Sequence, residues 1–421
     1  MAVKLSGVGQ APSQTWNWLK INDCALEVPT PPAADPAAEV PAAARRIACG
    51  AGADATQWLD AAATQRRCIV VPANAQGDHV SVLIDSALGS VAQTTLFARP
   101  GSEAFVDVVV ADGLGAAPEE RDRRAHAEAN EEAAKAADLP RAHDEAPATS
   151  GHALRIHAEA GSRVHVTLLV AASAAEQYLD SLGITADDRA EVTVRQYVIG
   201  AGTTALGTSV DLAGNRSRLD LTLRYLAGTD EKLDLGYSVP MRGKKSRANL
   251  DMTGVLTDNA RKSLRATIDL VHGCKGAKGS EQETVLVAGE DVVNKTLPVI
   301  LCDEDDVEGA HGAAIGSVSP EQLVYLQDRG LTEAEALELF SRAIVDDAAN
   351  TLPGAAPAAV VSWARETLGE AAADEIADAL ELGDHPLRGT ADSATGADAA
   401  AGPESAGADS AADPSQTESE A

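Results

Sequence analysis

Apolar and polar residues alternate along much of this chain, in short runs of strict period two. Val80, Val82 and Ile84 share one side of such a run. Val164, Val166, Leu168 and Val170 repeat it, with His165 on the opposite side. The pattern returns at Val192-Val194, Leu219 to Tyr225, Leu233 to Val239, Leu250-Met252 and Leu264 to Leu270. Successive side chains of a strand leave opposite faces, so these runs predict half-buried β-strands. Turn formers punctuate them at Ala213-Gly214-Asn215, Ala227-Gly228-Thr229, Arg242-Gly243-Lys244 and Thr257-Asp258-Asn259. The strands recur roughly every 15 to 20 residues with little helix between them, a spacing that suits stacked repeats. A β-sandwich and a parallel β-helix both fit.

Composition tilts this choice. Aromatic residues are only 3% of the chain. Small aliphatic side chains suit the narrow interior of a β-helix, where residues of successive coils stack. Periodicity alone leaves both architectures open.

Helical spacing takes over near residue 319. Ser319, Pro320 and Gln322 give an N-cap, a first-turn proline and a capping-box glutamine. Leu323 and Leu326 then share a face, and Arg329-Gly330 supplies a C-terminal stop. Thr332 and Glu335 form a second capping box, followed by Leu337, Phe340 and Ile344 at helical spacing. A third helix is expected from about Pro357 to Leu382, carrying Val361, Leu368 and Ile376.

Biased segments divide the chain further. Trp16 and Trp18 suggest a small anchored N-terminal piece, and residues 29–44 read as a stiff Pro/Ala linker. Residues 113–151 form a charged insertion almost without large apolar residues. Residues 384–421 read as a disordered acidic tail. The expected organisation is an N-terminal region over 1–78, a β core over 79–318, a helical region over 319–383 and the tail.

The formal net charge of -30 argues against nucleic acid and anionic lipid, whose binding needs clustered Lys and Arg. Arg242, Lys244, Lys245 and Arg247 form a small basic patch without aromatics, read as a solvated turn or a contact for an acidic partner. Cys24, Cys49, Cys68, Cys274 and Cys302 contain no C-x-x-C pair, so no zinc knuckle or self-contained iron–sulfur ligand set is visible. A reducing cytoplasm is the expected compartment. No signal-peptide pattern opens the chain, and no segment approaches a membrane span. No P-loop and no G-x-S-x-G elbow occurs.

The candidate chemistry sits between Leu297 and Gly316. A short apolar run meets five acids (Asp303, Glu304, Asp305, Asp306, Glu308), then His311 among small residues. Small neighbours leave the imidazole uncovered. Carboxylates with an imidazole suit iron, which makes His311, Glu308 and Asp306 candidate metal ligands. Strand alternation puts Val307, Gly309 and His311 on one face and Asp306, Glu308 and Ala310 on the other. Cys302 ends an apolar run and is expected to be buried. Cys274 lies in a turn beside Lys275, which would lower its pKa.

This stretch and the following helices resemble the SufB/SufD scaffold proteins of iron–sulfur cluster assembly, the SufD branch most closely, through residues 297–345. The resemblance covers about 80–112 and 152–346. It implies a mainly β fold, with a right-handed parallel β-helix core, a small N-terminal α/β region and a helical C-terminus. It implies a non-catalytic scaffold that pairs with a SufB-like subunit, or with a second copy in its absence. The helices, with Leu323, Leu326, Leu337, Phe340 and Ile344, would dock a SufC ATPase. His311 would lie at the subunit junction, beside a transient iron–sulfur cluster shared with SufB and not held stably by this chain alone. Many relatives have Cys two residues before this histidine; here the position is Gly309. SufB relatives carry an essential Cys within the segment matching Ser280 to Leu286, where this chain has none. A SufB-like sulfur acceptor and a carbohydrate-active β-helix enzyme are the alternatives.

Overall fold

The computed structural model describes residues 2–13, 21–31, 40–114, 147–171, 176–200, 202–317 and 320–383. Trp16, Trp18, residues 32–39 of the linker, residues 115–146 of the insertion, Ser319 and the 384–421 tail lie outside them.

The chain enters through an antiparallel pair, β1 (Ala2–Val8) and β2 (Cys24–Pro29). A single 3-10 turn (Ala44–Arg46) and α1 (Ala53–Ala62) follow. Two eight-stranded sheets then build up together. One contains β3 (Gln65–Val71), β5 (Val91–Ala98), β7 (Thr149–Ala158), β9 (Gln177–Ala186), β11 (Thr203–Leu212), β13 (Lys232–Met241), β15 (Arg261–Leu270) and β17 (Val293–Cys302). The other contains β4 (Asp78–Asp85), β6 (Glu103–Ala111), β8 (Arg163–Ala171), β10 (Glu191–Gly200), β12 (Arg218–Ala227), β14 (Arg247–Thr257), β16 (Ala277–Ala288) and β18 (Val307–Gly316).

Every strand of these sheets pairs in parallel with the next but one, as β10 does with β8 and β12. The fold is therefore a parallel β-solenoid, as the resemblance implies, and the sandwich reading falls. Parallel register stacks each side chain on its counterpart one coil away. Val80, Val106, Val166, Val194, Leu221 and Leu250 make one such inner column, every member of it buried. Each buried Val or Leu contributes about 1.5–3 kcal/mol, which is how a chain so poor in rings holds a core.

The solenoid begins at β3, earlier than the alternation at Val80 suggests. The run Gln65-Arg66-Arg67-Cys68-Ile69-Val70-Val71 has no period-two pattern, because only Val71 of this edge strand is buried.

The N-terminal segment crosses the outer face of the odd-numbered sheet. Leu59 and Trp58 of α1 pack with Leu179 and Ala205, and Asp60 receives a bidentate pair of hydrogen bonds from Arg155 at 2.9 and 2.6 Å. Gly207 permits the crossing: a Cβ there would stand 2.1 Å from the Ala51 nitrogen.

Among the described residues four helices follow the solenoid: α2 (Pro320–Gln327), α3 (Glu333–Thr351), α4 (Ala356–Thr367) and α5 (Glu370–Gly383). The Thr332 capping box forms as expected: its hydroxyl accepts from the Glu335 N–H, and the Glu335 carboxylate accepts from the Thr332 N–H. The single helix expected over Pro357–Leu382 is two, α4 and α5. Gly369, at φ +94°, breaks it in a conformation other residues rarely adopt. Helices α3 and α4 pack on the outer face of the even-numbered sheet, and α5 packs on them; Ile344, Val345, Val360 and Ile376 share one apolar cluster with Val109, Leu169 and Val255 of the sheet. Tyr197 of that sheet donates to Asp347 at 2.6 Å.

Candidate functional site at the open end of the solenoid

The last coil, β17 and β18, has a neighbour on one side only. Among the described residues no strand pairs with its outer edge. β18 is exposed or half-exposed along its whole length. An unpaired strand edge offers a row of N–H and C=O groups to another chain. Here it is lined by small residues and by Ile315, which is 55% exposed.

His311 lies in the middle of β18, exposed, with no hydrogen bond or ion pair among the described residues. Gly309 fixes the facing of this strand. A Cβ there would meet Ile300 Cδ1 at 3.2 Å and Leu270 Cδ1 at 3.4 Å, both inner side chains. By alternation His311, two residues on, faces the same inner side. Among the described residues no further coil covers it, which leaves it exposed.

Glu308 belongs to the other face and pairs with Lys278 at 2.6 Å. The carbonyl of Asp306 accepts from the Gly276 N–H at 2.6 Å. Among the described residues no group of three His, Cys, Asp or Glu side chains stands close enough to hold a metal ion.

Directly beneath His311 lies Glu281 of β16, its register partner. Glu281 is 1% exposed and Glu283 fully buried. Lys262 of β15, also buried, reaches across the interior to ion-pair with Glu283. It also donates to Asn294 Oδ1 at 3.1 Å and Thr296 Oγ1 at 2.8 Å of the last coil. Tyr225 donates its hydroxyl to Glu283 at 2.8 Å. Its ring lies across Gly254, where a Cβ would stand 2.0 Å from it. Neither carboxylate oxygen of Glu281 has a hydrogen-bond partner among the described residues. Burial, then the neighbouring Glu283 charge, push its pKa up to about 8. Burial pulls the Lys262 ammonium below its ordinary value, against the Glu283 charge that supports it. Two carboxylates share one ammonium, so Glu281 is the group that takes up a proton.

This acid pair was not singled out in the sequence. The signal was present: alternation puts Glu281 and Glu283 in phase with the inward-facing Val285, an unusual place for two acids.

The cysteines depart from expectation. Cys302 is exposed, with its Sγ 3.3 Å from the Glu304 carbonyl, because it ends an uncovered edge strand. Cys274 is fully buried, and burial pushes its pKa up; Lys275 does not activate it.

The helical residues fall into two groups. Phe340 is 40% exposed, and Leu323 and Leu326 are half-buried. Ile344 is buried against the even-numbered sheet. The side chain of Leu337 lies outside the described part. The exposed apolar patch also includes Val324, Tyr325 and Leu339, which were not expected.

Residues 123–344 match the model of the family described as "SUF system FeS cluster assembly, SufBD core domain". The chain belongs to this SufBD family. A SufBD family protein of Pyrococcus horikoshii is 32% identical over 135 residues, covering 32% of this chain and 40% of that protein. The iron–sulfur cluster assembly protein SufD of Bacillus subtilis is 33% identical over 111 residues, 26% of this chain and 25% of that protein. A SufBD family protein of Mycobacterium tuberculosis is 29% identical over 155 residues, 37% of this chain but 18% of that protein. The chain thus matches well under half the length of these relatives. Among the described residues no helix is long and apolar enough to cross a membrane.

Proposed function

We propose that this SufBD chain is a SufD-type scaffold subunit in iron–sulfur cluster assembly, with the cluster as cargo. Its uncovered last coil docks edge to edge on a SufB-like subunit. The observation that carries this reading is His311: an unpaired imidazole on an open edge strand, at the end of a rigid column, where a second subunit would supply further ligands. No three ligands converge within the described residues, which suits a site completed across a junction. The chain itself performs no catalysis. The exposed apolar patch on α2 and α3 receives a SufC-type ATPase, so ATP-driven movement reaches the solenoid through α3, which packs on β10, β12 and β14. The cytoplasm is the compartment that suits five free thiols.

Co-expression with SufB-like and SufC-like partners tests this reading. His311→Ala is expected to leave the purified complex intact and to lower its iron and sulfide content several-fold. Unchanged iron and sulfide in the intact complex would remove His311 from the assembly site. Failure of the three chains to co-purify would remove the SufD reading itself.

For a sulfur-accepting, SufB-like role the candidate at this end of the rod is Cys302, which is exposed where Cys274 is buried. Loss of sulfur transfer in Cys302→Ser would favour that role.

A further inference from the structure

The solenoid turns odd-numbered strands into the next even-numbered ones through tight corners, and in the first seven of them a residue of positive φ stands at an equivalent place. In coil order these are Asn74, Gly101, Gly161, Arg189, Arg216, Lys245 and Gly276, with φ between 59° and 75°. Their N–H groups link coil to coil: Arg189 donates to the Asn215 carbonyl at 2.9 Å, Arg216 to Lys244 at 2.8 Å and Lys245 to Lys275 at 2.9 Å. Glycine adopts this conformation freely and asparagine tolerates it. A long basic side chain there costs about 1 kcal/mol or more. The outer corners of the column follow the inexpensive rule; the three middle ones do not.

A second basic column runs alongside, two residues further on. Arg218, Arg247 and Lys278 stand at the starts of successive even-numbered strands, the first two as first residue and Lys278 as second, in direct register. Neighbouring parallel strands lie about 4.8 Å apart, so like charges stand at close range in both columns. Arg189, Arg216, Lys245, Arg218 and Arg247 are exposed, and none has a side-chain hydrogen bond or ion pair among the described residues. The acids of this face do not neutralise it. Asp188 is engaged with the Asn215 N–H at 2.6 Å and Glu308 with Lys278; Glu191 stands in register beside Arg218 at one end of the second column, and Asp220 lies two residues beyond Arg218 on the same strand. In a chain of net charge -30, a cationic stripe in which only Lys278 has an ion-pair partner among the described residues, and which also strains the backbone, calls for an anionic occupant.

We propose that this stripe is a docking surface for an extended acidic polypeptide, and that its occupant is the chain's own 384–421 stretch. That stretch carries eight acids against the single Arg388. It leaves the described structure at the end of α5, and α5 belongs to the helical layer on the even-numbered sheet, the sheet whose strand starts form the stripe. A tether of this length spans the coils involved many times over. Attachment raises the effective concentration of the acids to roughly the millimolar range, which suits weak, salt-sensitive pairing that an acidic partner can displace. The inference is independent of the role proposed for the solenoid's open end.

Zero-length carbodiimide cross-linking of the full-length chain, with peptide mapping, tests it. Lys244, Lys245 and Lys278 are expected to join acids of 384–421 at low salt, and the yield is expected to fall at least fivefold near 0.5 M salt, where screening is nearly complete beyond a few ångströms. Arg189→Gly combined with Arg216→Gly is expected to lower the same cross-links at least threefold without lowering Tm, because glycine relieves the positive-φ strain. Mixed light and heavy chains show whether the tail is the chain's own or a second copy's; links only between copies would overturn the assignment to the chain's own tail. Cross-links from these lysines confined to other acids, or indifferent to the two substitutions, would overturn the proposal. So would displacement by a single-stranded DNA oligomer at lower concentration than by a free 384–421 peptide.

Discussion

His311 stands one rung above Glu281, in direct parallel register. Below Glu281 the same inner column continues as Leu250, Leu221 and Val194, aliphatic to the far end of the rod. The column changes character only in its last two rungs. Among the described residues, an acid buried without a hydrogen-bond partner and an imidazole exposed without one therefore share one axis at the surface where the solenoid stops.

Glu281 makes stability depend on pH in a definite direction. Its folded pKa is raised from 4.5 to about 8. Below the unfolded value the group is protonated in both states and adds no pH dependence. Between about 4.5 and 8 the native state holds the extra proton, so stability falls as pH rises, by up to about 1.4 kcal/mol per pH unit. Urea unfolding at pH 5, 6.5 and 8 is expected to show this decline, and Glu281→Gln is expected to flatten it. An equally steep decline in the variant would assign the dependence to another group.

Tyr225 and Gly254 are expected to behave as a unit. Tyr225→Phe removes the donor to Glu283 and should cost about 1.5–3 kcal/mol. Gly254→Ala places a methyl where the ring lies and should cost a similar or larger amount through overpacking. The double variant should fall well short of the sum, since the ring can no longer be held in place for its bond. Full additivity in denaturation would show that the ring and the glycine are independent.

The Asp60–Arg155 pair anchors α1 to the rod. Both residues are buried, and Asp60→Ala would leave the guanidinium enclosed without its partner, at a cost of about 3–5 kcal/mol. Hydrogen exchange across Ala53–Ala62 should rise more than across β10–β14. Protection unchanged in α1 would mean that Trp58 and Leu59 hold the helix by themselves.

Phe340 is the most informative residue for testing the proposed docking of an ATPase. It is 40% exposed, so Phe340→Glu should alter stability by no more than about 0.5 kcal/mol while weakening capture of a SufC-type partner at least tenfold in a pull-down titration. Ile344→Ala, by contrast, should cost about 2–5 kcal/mol through its packing on the sheet. Undiminished capture by the Phe340 variant would move the docking surface away from α3.

The alternating runs located seven of the sixteen solenoid strands, β4, β8, β10 and β12 to β15, where aliphatic inner positions alternate with more polar outer ones; strands such as β5, buried on both faces, carry no such alternation. β3 escaped because an edge strand with one buried residue carries no alternation. The capping box at Thr332 was legible, since it depends on residues three apart in sequence. His311 stood out through its small neighbours, whereas Glu281 and Glu283 did not, because their enclosure depends on Lys262 from the opposite sheet.

The sequence by itself determined the local elements and the narrow aliphatic interior, since period-two patterning, caps and side-chain volume are properties of neighbouring residues. Tertiary structure decided which faces are covered. It buried Cys274, left Cys302 and His311 open at a coil with nothing above it, and enclosed Glu281. It also aligned Arg189, Arg216 and Lys245 into one column from positions 27 to 29 residues apart. Burial and register arise from coil stacking, and stacking joins residues that no short stretch of sequence contains.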